Sequence, residues 1–369
     1  MNVLMVTPHL PPHQAANALL PHLLAQGLSR RGHAARFLTF GREPSRADAA
    51  FVRRRGRRLR STRLPQALEA LETWWKGRRL IRDADVVHIH SSTWMNQVAA
   101  RLAARRGTPY VLTHYGTEIW HHDGRDRVFR ALNRDARHVT FYSEALLLRA
   151  RELGVPLRAG TVVYPPVAEG FRPLAADARA RVRAAVAPGA DRVLLNVKRL
   201  HPLADQATLI RAFARVRERW PRAVLLLAGA GEAEADLRAL GARLGLGDAL
   251  RLLGLVPNEE VARLQAAADL FVLSSVLEAT PTVALEALAC GTPVVSTDNP
   301  GGVELHGLFG DDVALAPRGD PEALAQAVLA FLAAPRRARP GTAARLAERF
   351  RLDAVVERYL ALYEEARAA

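Results

Sequence analysis

The sequence predicts an α/β protein made of two successive open parallel-sheet units. Three observations carry this. Short apolar runs alternate with helix-length stretches through the first half, the alternation lapses into Pro, Gly and polar residues around 165–173, and a second series of similar size follows. Strands separated by helix-length intervals favour a parallel sheet with covering helices. At 369 residues the chain is long for one hydrophobic core and fits two.

In the first series, residues 2–7 read as a strand, 15–31 as an amphipathic helix ended by Gly32, and 34–39 as the next strand. Residues 85–89 form a short strand, 94–106 a helix and 110–113 a strand, with 138–142 and 161–163 adding two more. In the second, strands 192–196 and 223–228 flank a helix over 206–219. Strand 252–254, helix 259–267, strand 270–273, helix 283–289 and strand 293–296 follow. The expected domains are 1–167 and 168–349, and a closing helix over 350–369 packs back on the first or the second. Open parallel sheets place ligands beyond the carboxyl ends of their strands, so two such units facing a cleft would carry the site there.

The composition narrows the function classes. Hydrophobic residues make up 49% of the chain, as in a globular protein, and no apolar run reaches membrane-spanning length. The opening Met1-Asn2-Val3-Leu4 enters a strand without a basic signal-peptide region. Cys290 is the single cysteine, which excludes an internal disulfide framework and suits a reducing, cytoplasmic compartment. The formal net charge is +15, and six arginines fall within residues 53–60, followed by Trp74-Trp75-Lys76-Gly77-Arg78-Arg79. Such a stretch is either a solvated arginine-rich face or a surface for anionic phosphates. Within the second reading the adjacent tryptophans support peripheral contact with an anionic membrane, and nucleic acid is disfavoured because no binding module accompanies the charge.

The chemistry concentrates between Glu278 and Glu286, just past the strand 270–273. Thr280 is suited to cap a helix and Pro281 to its first turn. The free amides of Thr282, Val283 and Ala284 would then hold a diphosphate. Glu286, one turn on, would repel phosphate but could accept hydrogen bonds from ribose hydroxyls as an ionised carboxylate, and Glu278 from sugar hydroxyls. Alternatively both are ordinary surface residues. Lys198 and Arg199 follow the strand 192–196, where cations could stabilise a departing diphosphate or merely aid solubility. His114 follows a buried-looking strand, with Gly116 permitting close backbone approach. His88 and His90 alternate on one strand, but with His9, His13, His121 and His122 they do not form a compact metal set, so no metal is expected.

Taken together, these residues resemble the retaining GT-B glycosyltransferases of family 4 (glycosyl transferases group 1) over nearly the whole chain. The landmarks are Val6-Thr7-Pro8, Val87-His88-Ile89-His90, His114-Tyr115-Gly116, Arg199 and the Gly254-Leu255-Val256-Pro257 turn. The Glu278/Glu286 pair and the run from Glu286 to Val295 complete the set. The resemblance implies that Glu286 binds the nucleotide ribose and that Glu278 faces the donor sugar beside the Thr280, Pro281, Thr282 and Val283 backbone. It also implies that Arg199 holds the diphosphate, that His114 approaches the donor sugar, and that the Leu255 and Val256 backbone meets the base. No cofactor or divalent ion is implied; the nucleotide sugar is a substrate.

Three positions depart from the family pattern. Its lysine five residues beyond the arginine falls on Ala204, for which Lys198 is the candidate substitute, though it should leave the strand opposite to Arg199. Ala279-Thr280-Pro281 stands where Gly-Phe-Gly or Gly-Phe-Pro is common, and residues 11–17 lack the paired glycines of the first loop. The expected activity is retaining transfer of a hexosyl unit from a UDP-sugar, or from GDP-mannose, to a hydroxyl of a saccharide, glycolipid or small molecule. Rival readings are a phosphorylase or epimerase on the same fold, or a basic binding protein that has lost turnover.

Overall fold

The structure, a computed structural model, describes residues 1–11, 13, 15–41, 48–53 and 64–368. Arginines 54, 55, 57, 58 and 60 of the basic segment, and Pro12 and Gln14 of the first loop, lie outside the described residues. The chain divides into two compact units, residues 1–166 with 352–369, and residues 167–351.

In the first unit, β1 (Asn2–Thr7), α1 (Ala16–Arg30), β2 (Ala34–Phe40), β3 (Ala49–Val52), α2 (Leu64–Arg82), β4 (Val86–His90), α3 (Trp94–Arg106) and β5 (Tyr110–His114) follow in order. Then come α4 (Thr117–Trp120), α5 (Arg127–Asp135), β6 (His138–Phe141), α6 (Glu144–Glu152) and β7 (Gly160–Val162). The seven strands are parallel in the order β3-β2-β1-β4-β5-β6-β7. β4 and β5 are buried throughout, as expected of strands covered on both faces by crossover helices.

The second unit contains α7 (Ala176–Val186), β8 (Arg192–Val197), α8 (Gln206–Arg219), β9 (Ala223–Ala228), α9 (Glu234–Arg243), β10 (Leu250–Gly254), α10 (Asn258–Ala267) and β11 (Leu270–Leu273). It continues with α11 (Thr282–Ala289), β12 (Val294–Thr297), α12 (Pro300–Phe309), β13 (Val313–Ala316), α13 (Pro321–Ala333) and α14 (Pro340–Arg349). Its parallel sheet runs β10-β9-β8-β11-β12-β13, reversing direction of growth between β8 and β11. Leu194, Phe213, Leu225, Leu227, Val272 and Val295 fill the core between sheet and helices. Asp205 caps α8 by accepting the Thr208 amide, in a left-handed conformation (φ 44°) that a short polar side chain tolerates.

The closing helix, α15 (Leu352–Ala368), belongs to the first unit. Gly27 of α1 has no Cβ because one would meet Val356 Cγ2 at 2.4 Å, and Arg31 pairs with Glu357 at 2.7 Å and Asp353 at 3.0 Å. Deeper in, Tyr363 meets His88 Nδ1 at 2.7 Å, and His88 Nε2 meets Thr113 at 2.7 Å. Thr113, Thr140 and Tyr359 close this buried polar network. A polar cluster in a dry core is tolerated because its members satisfy one another. The histidines of β4 therefore serve the fold. His90 is held by Tyr115 at 2.7 Å, and burial pushes His88 down to about 3, so it stays neutral.

Several elements are absent from the sequence reading. α7 (ADARARVRAAV) buries only Val182, so its apolar period is nearly invisible, and among the described side chains of α2 only Thr73, Gly77 and Ile81 turn fully inward. β3 and β13 have four residues each, too few to show alternation.

Candidate functional site

The candidate site lies at the carboxyl ends of β8 and β11, the switch point of the second sheet. The chain leaving β8 turns sharply at Lys198-Arg199-Leu200. The loop leaving β9 presses against it so closely that a Cβ on Gly229 would meet Lys198 O at 2.0 Å, and one on Gly231 would meet Leu200 O at 2.1 Å. Gly229 also adopts φ 143°, so glycine is required there on both counts.

This turn sends the two cations to different partners. Lys198 Nζ reaches Glu278 Oε1 at 2.5 Å, both side chains being largely buried, while the exposed Arg199 pairs with Glu232 at 3.1 Å. The two cations thus engage different carboxylates, and Lys198 is the one beside Glu278. Ala204 is buried, with its carbonyl accepting from Ser274 Oγ at 2.8 Å. The same turn is tied to β11 by the Val276 amide, which donates to Leu203 O at 2.9 Å.

The expected helix start is corrected by one residue. Pro281, not Thr280, is the N-cap of α11, and no side chain caps the helix. Proline has φ near −75° fixed by its ring but a non-helical ψ of 89°, so the helical run begins at Thr282. The Ala284 amide donates to Pro281 O at 2.9 Å and is not free as expected. The amides of Thr282 and Val283 are the first-turn donors that have no preceding helical carbonyl to reach. Behind this loop, the Gly301 amide of α12 donates to Glu278 O at 3.1 Å, and a Cβ on Gly301 would meet Ala279 O at 2.8 Å.

Glu286 is half-buried and also differs from expectation. Burial pushes its carboxyl up to about 8, which favours the protonated form at neutral pH over the ionised acceptor expected. Leu255, in the turn after β10, is strongly exposed, and Val256 packs against the Phe171–Cys290 cluster. Gly254 has φ 67° and its carbonyl accepts from the Gly229 amide at 2.8 Å, which joins this turn to the loop behind Lys198.

His114, at the end of β5 in the first unit, is fully buried. Its Nε2 is 2.8 Å from Asn133 Oδ1, and its Nδ1 has no hydrogen-bond partner but lies 3.6 Å from Glu118. Burial alone would raise the Glu118 carboxyl; His114 and the Tyr115 amide outweigh it and hold the group below its usual range. His9 and His13 stack with ring centroids 4.1 Å apart, and His122 stacks on Phe129. Among the described residues no group of three or more His, Cys, Asp or Glu side chains could hold a metal ion.

Sequence reasoning missed Gly229, Gly231 and Glu232. The signal was available: Gly229-Ala230-Gly231-Glu232 directly follows a strand, where paired glycines permit close backbone approach.

Two Rossmann-like parallel-sheet units, the second with polar groups gathered at its switch point, define the GT-B class of α/β proteins. Residues 179–347 match the model of the glycosyl transferases group 1, and residues 21–166 match the glycosyl transferase 4-like domain. The D-inositol 3-phosphate glycosyltransferase of Thermobispora bispora is 34% identical, over 75% of this chain and 70% of that protein. The GDP-mannose-dependent alpha-(1-6)-phosphatidylinositol monomannoside mannosyltransferase of Mycolicibacterium smegmatis is 32% identical, over 66% of this chain and 65% of that one. The Anabaena protein HepE in complex with UDP superposes with a TM-score of 0.80 at 20% identity, covering 99% of this chain and all of that one, a likeness of fold. The chain belongs to the group 1 glycosyltransferases of family 4, and is an enzyme of the hexosyltransferase class. Among the described residues no helix is long and apolar enough to cross a membrane.

Proposed function

We propose that the protein transfers a hexosyl unit from a nucleotide diphosphate sugar, most favourably UDP-linked, to an acceptor hydroxyl with retention of configuration. The observation that carries this is the switch-point constellation. Glu278, with Lys198 on its carboxylate, and Glu286 flank a helix start whose Thr282 and Val283 amides have no helical partner.

In this reading the diphosphate lies on those amides and on Arg199, which turns from Glu232 to take phosphate oxygens through its planar fork. Lys198 supplies charge where the family lysine is replaced by Ala204. Glu286 accepts the ribose hydroxyls and gives up its proton as it does so. Glu278 accepts from the sugar hydroxyls, and the exposed Leu255 turn offers its backbone to the base. The family resemblance would bring His114 to the donor sugar through Nδ1, the ring nitrogen 3.6 Å from Glu118. As the bond from the anomeric carbon to the phosphate oxygen breaks, the new bond to the acceptor oxygen forms on the same face. The acceptor proton passes to the departing phosphate. Positioning and charge stabilisation carry the rate, with positive charge supplied by arginine, lysine and the helix start, so no divalent ion enters the mechanism. A saccharide, an inositol phosphate or a lipid-linked sugar would serve as acceptor.

A second donor, GDP-mannose, is favoured by the stated donor of the mycobacterial relative. Calorimetric titration of the wild type and Glu286→Ala with UDP-glucose and GDP-mannose tests the reading and separates the donors. Binding of one donor that is lost in the variant is expected. Equal behaviour of the two proteins with both donors would overturn it.

A further inference from the structure

Helix α2 has two faces of different character. Thr73, Gly77 and Ile81 are fully buried. On the opposite face, Leu68, Leu71, Trp74 and Trp75 are 42%, 60%, 43% and 60% exposed, and the 40% exposed Trp94 joins them through its indole N–H, which donates to Gln66 O at 3.2 Å. Positions 68, 71, 75, 78, 79 and 82 recur at helical spacing, so one stripe runs from leucine and tryptophan into Arg78, Arg79 and Arg82, all exposed. Arg78 lies 5.2 Å over the Trp74 ring, with its charge at the edge of the apolar patch. The acidic groups nearby are engaged: Glu72 with Lys76 at 2.7 Å, and Asp83 with Arg82 at 2.9 Å and more loosely with Arg79.

Single exposed leucines need no explanation, but five large apolar side chains in one patch beside three arginines do. An apolar stripe with tryptophans beside a cationic end matches the interface of an anionic bilayer. There the rings and leucines enter the headgroup boundary while the guanidiniums remain on lipid phosphates. A chain of net charge +15 adds long-range attraction of the same sign. The geometry points to the exposed face of α2, with Trp94, as a docking surface for an anionic membrane. This inference is independent of the donor reading.

Co-sedimentation of the full chain with vesicles of phosphatidylcholine alone, and of phosphatidylcholine mixed with phosphatidylglycerol, tests it. The wild type should bind the anionic vesicles and not the neutral ones. Leu71→Ser/Trp75→Ser should lower partitioning about ten-fold, the loss expected for withdrawing two large apolar groups. Arg78→Ala/Arg79→Ala should lower it about five-fold per charge, and the remaining binding should respond less to salt. Leu148→Ser, at an isolated exposed leucine of the same unit, should leave binding unchanged. Should the serine double variant not fold, the arginine pair and Leu68→Ser carry the same comparison. No binding of the wild type to anionic vesicles at low salt would overturn the inference, as would an equal loss from Leu148→Ser. A self-associated wild type that sediments as a monomer once Leu71 and Trp75 are changed, without vesicle binding, would overturn it in favour of a second copy.

Discussion

The strand ends of the two sheets put comparable polar chemistry to opposite uses. In the first unit, His88 and His90 of β4 and Thr113 of β5 are fully buried and hydrogen-bonded to Tyr363, Tyr115, Thr140 and one another, which fastens α15 to the sheet. In the second, Lys198, Arg199, Glu278 and the α11 amides retain exposed or exchangeable contacts. The difference teaches that topological position alone does not make a functional group. What decides is whether the fold has already committed its hydrogen-bonding capacity.

The largest expected effect breaks the first side of this comparison. His88→Ala removes partners of both Tyr363 and Thr113 in a sealed core, and should destabilise the protein by about 3–4 kcal/mol in urea unfolding. Turnover per folded molecule should be kept. Loss of turnover without loss of stability would make this histidine a functional group and erase the contrast.

Next is Glu286→Ala, which should weaken donor binding about hundredfold by titration calorimetry, since two charge-assisted hydrogen bonds are lost. Its stability counterpart is Glu286→Gln. A carboxyl raised to about 8 from 4.5 is protonated in the folded chain across the interval where the unfolded chain is ionised. Its folded state is therefore favoured at low pH, and stability declines as pH rises from about 4.5 to about 8. The glutamine variant should lack that decline and gain about 4 kcal/mol at pH 8, read from thermal or urea unfolding across the interval. Identical pH profiles would mean that the carboxyl is not held neutral.

The smallest effect concerns Arg199. Its pair with Glu232 is exposed, so Arg199→Ala should change stability by less than about 0.5 kcal/mol. Donor affinity should fall about ten-fold, because a charge-assisted contact to the diphosphate is lost. A stability loss with unchanged affinity would assign this arginine to the fold.

Much of this architecture was legible because fully buried parallel strands such as 223–228 and 270–273 appear as apolar runs between helix-length intervals. The Glu278–Glu286 segment stood out through its spacing after such a strand. Other features were not legible for physical reasons. Pro281 could be assigned to the first turn or to the cap, and only its ψ separates the two. The raised Glu286 carboxyl depends on what surrounds it in three dimensions, and Gly229 and Gly231 are explained by a neighbouring turn some thirty residues earlier in the chain. The sequence places His114 where it could meet a ligand directly, and its burial against Asn133 and Phe129 arises only once α5 is folded over it.

The central claim, that a neutral Glu286 ionises as it accepts the donor's ribose hydroxyls, is tested most directly by counting protons released on donor binding. Titration calorimetry of the preferred nucleotide sugar at pH 7, repeated in buffers of different ionisation enthalpy, gives that number. The account predicts release approaching one proton in the wild type and none in Glu286→Gln. Donor binding with no proton release in the wild type, or with the same release in both proteins, would contradict it.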